Sequence, residues 1–181
     1  MVSSHDPAAS EALNLLLQMK GEFVWFVRIS ADNVLRLDFG SPHLKIREPY
    51  SPKAGDSQAV IDALGGRMVL PRGKWHLFVK GEWSVTTKFY TCNVSDTDIE
   101  KINKTLRQLD GQKLTDVKQS NGLNDWILEF DLGGSLHLSP SECPEEAQEN
   151  EDGQWTLFLE DGDYLWFTND GDLKRKGQEG S

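Results

Sequence analysis

The side chains suited to proton transfer, nucleophilic attack or metal binding are four histidines, two cysteines and a dense set of late carboxylates. His76 stands between Trp75 and Leu77 in a stretch that reads as strand, so it points away from both. With Asp38 or Glu82 beside it, it would form a pair able to move a proton as general acid and base. Without such a partner it is a surface or interface residue. His43 and His137 fall in comparable hairpins but one residue out of register, which puts them on opposite faces. No His-x-His or His-Glu-x-x-His spacing occurs, so no metal site is expected.

Cys92 lies just ahead of an expected helix, whose positive end lowers a thiol pKa. It sits three residues outside the cap with acids following, and these oppose the thiolate, so it reads as structural. No Gly-x-Ser-x-Gly elbow is present. Asp38-Phe39-Gly40 spells a tripeptide used by kinases, but neither a glycine-rich phosphate loop nor a catalytic loop accompanies it, and it reads as a hairpin end. The residues therefore point to no catalytic group, no cofactor and no enzyme.

The carboxylates carry the stronger signal. The 181 residues hold 19 Lys and Arg against 29 Asp and Glu, a net charge of −10. Residues 1–91 contribute +2 and residues 92–181 contribute −12. From Glu142 to Asp172 there are eleven acids and no Lys or Arg. Such a surface repels phosphate backbones, which argues against nucleic acid as a partner, and attracts a basic protein. The loop from Ser141 to Gly153 lacks the spacing of a calcium loop. Its Glu145, Glu146, Glu149 and Glu151, with Glu160, Asp161 and Asp163 of the following hairpin, form the expected partner-binding surface.

Two cysteines are too few for a disulfide framework. The apolar run Leu13 to Leu17 is short and has no basic leader, and no stretch approaches a membrane span. The expectation is a cytoplasmic chain with no membrane contact and an open oligomeric state.

The elements that would position these residues recur. Gly73-Lys74-Trp75-His76-Leu77-Phe78-Val79 matches Gly153-Gln154-Trp155-Thr156-Leu157-Phe158-Leu159, and Leu35 to Gly40 matches Leu128 to Gly133. Leu16, Met19 and Gly21 line up with Leu106, Leu109 and Gly111. A helix over Glu11 to Lys20, capped by Ser10, precedes a strand from Glu22 to Ser30 with Phe23, Trp25, Val27 and Ile29 on one face. Val34 to Phe39 alternates with Leu35, Leu37 and Phe39 inward and Arg36 and Asp38 outward, and His43 to Arg47 completes a meander. A short helix over Ser57 to Leu64 and an edge strand at Met68 to Leu70 follow. Lys74 to Val79 and Glu82 to Thr87 read as a hairpin across Lys80-Gly81.

The second unit opens on a helix from Asp96 to Leu109 capped by Ser95. Strands at Lys113 to Lys118, Trp126 to Leu132 and Ser135 to Leu138 come next. A last hairpin joins Gln154 to Leu159 with Tyr164 to Thr168, and residues 171–181 read as a polar tail. The fold class is α+β, with two helix-plus-antiparallel-sheet pseudo-repeats packed together: residues 1–91, and residues 92–181 with the acidic loop. Most of the six tryptophans should be core.

Val34 to Gly40 with Leu44-Lys45-Ile46-Arg47-Glu48-Pro49, then Gly73-Lys74-Trp75-His76-Leu77, resembles small bacterial proteins of the kind found among the immunity proteins of toxin systems. That resemblance implies a cytosolic protein that binds and neutralises one partner. The expected function is a protein-binding module, an immunity-type inhibitor of a basic toxin. The alternative is a small-ligand module with an aromatic-lined cleft between the repeats.

Overall fold

The computed structural model describes residues 7–30, 33–120, 124–140 and 153–176. It is an α+β chain whose strands all pair antiparallel. One sheet has six strands in the order β1 (Val24–Ile29), β2 (Leu35–Phe39), β5 (Trp75–Val79), β11 (Trp155–Leu159), β12 (Tyr164–Phe167), β13 (Leu173–Lys176). The other has five: β7 (Thr91–Asn93), β6 (Glu82–Thr86), β10 (Ser135–Ser139), β9 (Trp126–Phe130), β8 (Leu114–Gln119). Each large sheet thus draws strands from both 1–91 and 92–181. A separate two-stranded ribbon pairs β3 (His43–Arg47) with β4 (Met68–Arg72). The helices are α1 (Pro7–Leu17), α2 (Gln58–Leu64) and α3 (Ile99–Leu109).

Alternation decides which side chains meet between the sheets. Leu35, Leu37 and Phe39 of β2, and Trp75, Leu77 and Val79 of β5, are buried on one side, while Trp126, Leu128 and Phe130 of β9 are buried on the other. Phe39 stacks on Phe130 at 6.5 Å between ring centres, and Trp126 meets Trp155 and Phe167 edge-on at 6.3 and 5.2 Å. The inner faces of the two sheets therefore pack on each other. Trp75, Trp83, Trp126 and Trp155 are core, as the alternation predicts, while Trp25 and Trp166 are half-buried.

Where the chain leaves α1 and α3, the two segments bond to each other. Gly21 N–H donates to the Leu114 carbonyl and Gly111 N–H to the Val24 carbonyl, each at 2.8 Å. Val24 N–H donates to Gln112 at 2.8 Å, and Leu114 N–H to Glu22 at 2.9 Å. Gly21 and Gly111 take left-handed φ values of 91° and 89°, the conformation that ends a helix without a Cβ penalty. α1 then packs on β8, and α3 on β1.

Several expected elements are arranged differently. The first helix starts at Pro7, which suits a first helical turn where no N–H is needed, so Ser10 lies inside it. Asp98, not Ser95, caps α3: its Oδ1 accepts from Glu100 N–H and Lys101 N–H, while the Ser95 hydroxyl donates to Asn93. β3 does not extend the meander, because β2 pairs with β5 instead. β5 and β6 form no hairpin. The N–H groups of Lys80 and Gly81 donate to the Gln154 carbonyl, and the chain crosses there from one sheet to the other. Residues 173–176, expected in a tail, add the edge strand β13, and the short strand β7 was likewise not expected.

The first strand also breaks phase. Phe26 adopts φ of 55°, a left-handed conformation that is strained for an aromatic residue, inside a bulge between Trp25 and Arg28. Val24 is core, and beyond the bulge Val27 and Ile29 pack against the core, so Arg28 lies opposite Arg36 on the outer side. Unbroken alternation would have put Trp25 with Val27 and Ile29.

Candidate functional site

The outer face of the six-stranded sheet is built by the residues that alternate with the core. Arg36 and Asp38 of β2 lie beside Phe78 and His76 of β5. These in turn face Thr156 and Phe158 of β11, and then Trp166 and Tyr164 of β12. The rings form a continuous series: His76 to Phe78 at 4.4 Å, Phe78 to Phe158 at 4.9 Å, Phe158 to Tyr164 at 5.4 Å, Tyr164 to Trp166 at 5.7 Å.

The ribbon β3–β4 leaves the end of β2 and returns at Gly73, so it stands over one end of this face. Between them lies a groove of about 590 Å³, within the range of roughly 300–1,000 Å³ common to small-molecule sites. His76, Phe78 and Phe158 line it on the sheet side; Lys45, Arg47 and Arg72 line it on the ribbon side; Glu160 and Asp161, in the turn after β11, line it as well. Phe78 and Phe158 come from different halves of the chain.

Asp38 and His76 anchor the groove. Nδ1 of His76 lies 2.9 Å from Oδ1 of Asp38, in contact but without the alignment of a straight hydrogen bond. The same Oδ1 accepts the Gly73 N–H at 2.7 Å, tying the foot of the ribbon to the sheet. Asp38 is fully buried and His76 is 5% exposed. Burial lowers the His76 pKa below its ordinary value; Asp38 opposes that shift, and Arg72 and Arg28 add to it. The imidazole is accordingly neutral near pH 7. With the carboxylate at Nδ1, we assign the ring proton to that nitrogen. Nε2 is then the unprotonated nitrogen, closed to solvent and without a hydrogen-bond partner among the described residues.

Arg28 and Arg72 add positive charge to the surroundings of His76. Arg28 feels both Arg72 and Arg36 as like charges and Asp38 as an opposite one, and burial is the main cause of its lowered pKa. The Arg36 guanidinium lies over the Phe78 ring at 4.6 Å. Among the described residues, none of the three forms an ion pair within 4.0 Å.

Of the expected partner-binding acids, Glu145, Glu146, Glu149 and Glu151 lie outside the described residues, as does Cys143. Glu160 and Asp161 are exposed at the groove, and Asp163 accepts from Arg175 at 2.8 Å. Glu82 lies in the other sheet, paired with Ser139, so of the two expected acids it is Asp38 that lies beside His76. His137 is also in that sheet, opposite Ser84, and His43 is on the ribbon. Cys92 is a buried free thiol whose pKa is raised by burial. Among the described residues no group of three His, Cys, Asp or Glu is placed to hold a metal, and no helix is long and apolar enough to cross a membrane. The outward positions of Arg36 and Asp38 are legible from alternation, whereas the approach of Arg28 and Arg72 depends on a bulge and on the return of the ribbon.

Leu44, Ile46 and Val69 are 72%, 58% and 56% exposed. Ile46 lies opposite Val69, and Leu44 opposite Pro71, so they form one exposed apolar strip, of which Leu44 and Ile46 also border the groove. Compared with family models, curated proteins and solved structures, the chain matches none.

Proposed function

We propose that this chain is a protein-binding module that docks its partner on the ribbon β3–β4. The observation that carries the reading is the exposed strip of Leu44, Ile46 and Val69. Large contiguous apolar patches left in water mark interaction sites. The net charge of −10 and the exposed Glu160 and Asp161 favour a basic partner. An immunity-type inhibitor that neutralises a basic toxin in the cytoplasm fits these features together with the sequence resemblance. Hydrogen exchange on the complex tests the dock: protection of residues 43–47 and 68–72 supports it, and protection confined to other strands contradicts it.

A second reading, a small-ligand module, is favoured by the aromatic-lined groove beneath the ribbon, to which both halves contribute. The two readings meet at Leu44 and Ile46, which belong to the strip and also border the groove.

We also propose that the halves are duplicated units that have exchanged strands. The reciprocal bonds of Val24 and Leu114, and the stacking of Phe39 on Phe130, support this. In the exchanged arrangement the counterpart of Gly153-Gln154-Trp155 is Gly81-Glu82-Trp83, since β6, which carries Trp83, and β11, which carries Trp155, each add to strands of the other unit.

A further inference from the structure

We propose that the partner binds by adding an extended segment as a third strand along β3, a segment that alternates apolar and acidic residues. The inference rests on the protein-docking reading and names the chemistry that fills that dock.

The ribbon is a sheet of only two strands, and among the described residues no strand pairs with the far side of β3. Neither β3 nor β4 has a buried residue. A two-stranded ribbon is at best marginally stable in water, and a third strand sharing an apolar face stabilises it. The two edges differ. Proline in a sheet keeps its nitrogen on the outer side, so Pro71 leaves β4 with one donor fewer for an added strand. No proline interrupts His43 to Arg47, so β3 is the edge that a peptide backbone can extend.

Alternation gives the ribbon two unlike faces. Leu44 and Ile46 lie with Pro71 and Val69 on one, and His43, Lys45 and Arg47 lie with Arg72, Leu70 and Met68 on the other. A strand beside β3 sets its own side chains next to these in turn. Its apolar residues continue the exposed strip of Leu44, Ile46 and Val69. Its acidic residues stand beside Lys45 and Arg47. The local charge agrees, since residues 43–48 and 67–74 hold five Lys or Arg against Glu48 alone, in a chain of net −10. The basic character proposed for the partner as a whole concerns its contact with Glu160 and Asp161, outside this strand. A second copy fits β3 less well. Antiparallel pairing of two β3 strands about their centres sets Lys45 against Lys45, and lysine on an edge strand guards against such pairing.

The test is calorimetric titration of the full chain, in about 0.15 M salt, with a capped peptide of about eight residues alternating valine and glutamate. The comparisons are a valine–lysine peptide and two forms of the first, N-methylated at every valine or at every glutamate. An added strand turns only alternate N–H groups toward its neighbour. The expected result is saturable binding of the valine–glutamate peptide, about tenfold tighter than valine–lysine, with one N-methylated form losing binding and the other keeping it. Lys45→Glu alters an exposed side chain, and its unfolding midpoint is measured alongside. It should reduce the preference for glutamate over lysine by about threefold or more. Absence of saturable binding at millimolar peptide overturns the proposal. So do equal binding of the two N-methylated forms and an unchanged preference in folded Lys45→Glu. A concentration-dependent dimer of the native chain, lost in Leu44→Asp, would place a second copy on β3 and overturn it as well. The dock itself is read separately, by capture of a partner on the native chain and its loss from Leu44→Asp/Val69→Asp, so the two failures are distinguishable.

Discussion

Oδ1 of Asp38 accepts the Gly73 N–H at 2.7 Å and lies against Nδ1 of His76 at 2.9 Å. One carboxylate oxygen, on a strand of the outer sheet face, thereby fixes both the foot of the ribbon and the orientation of the imidazole in the groove. Removing it leaves a buried N–H and a buried ring without their acceptor. Asp38→Leu should therefore destabilise the fold by about 2–4 kcal/mol, and Asp38→Asn by less, because an amide oxygen still accepts from Gly73. Urea unfolding of the two variants checks the order; equal losses would mean that size, not the acceptor, matters at this position.

His76 makes stability depend on pH in a defined direction. Its pKa in the folded chain lies below the ordinary value, through burial first, with Arg72 and Arg28 adding to it and Asp38 opposing. Between that lowered value and about 6.5 the unfolded chain binds more protons than the folded one, so stability rises with pH and falls on acidification. The loss begins as pH drops through about 6.5 and ends at the folded pKa. Relative to His76→Gln, the native chain should lose stability more steeply over this window. Parallel curves for the two chains would contradict a neutral buried imidazole.

Gly73 has no room for a side chain. A Cβ there would lie 2.6 Å from the Phe39 carbonyl oxygen and 2.7 Å from its nitrogen, both backbone atoms that cannot turn aside. Gly73→Ala should cost about 1–3 kcal/mol and lift the ribbon. Thermal unfolding and faster hydrogen exchange across 43–47 and 68–72 would report the two effects. The same substitution at Gly66, where nothing lies within 4 Å, should be nearly neutral.

The inter-sheet core depends on Trp126, which is fully buried and edge-on to both Trp155 and Phe167. Trp126→Ala should destabilise by about 3–5 kcal/mol, the transfer loss plus the cavity left behind. Both large sheets should weaken together in hydrogen exchange, because the side chain joins them. Loss confined to the five-stranded sheet would contradict that.

Much of this architecture is legible in the sequence. Alternation finds β9, β10, β11 and β12, and the recurrence of Ile102, Leu106 and Leu109 finds α3. Ser57 caps α2 where the apolar pattern begins. Pairing partners are another matter. Lys80-Gly81 looks like a hairpin turn, but its N–H groups are satisfied by Gln154, far away in sequence. The bulge at Phe26 has no glycine to announce it, and it is what aligns Arg28 with Arg36. The possible pairing of Asp38 with His76 is readable from their outward positions. The exposed face of the ribbon is not, because β3 reads as one more strand of a meander until its partner is known to be β4.

The most direct test of the docking account is capture from the cells that make the chain, comparing the native protein with Leu44→Asp/Val69→Asp and with Glu160→Lys/Asp161→Lys. Each variant is first shown to unfold like the native chain. The account predicts one stoichiometric basic partner on the native chain, lost from the ribbon variant at any salt. Charge reversal should weaken its capture mainly by slowing association, and should reduce its salt dependence. Equal retention of the partner by the native chain and the ribbon variant, or no stoichiometric partner on the native chain in low salt, would contradict it.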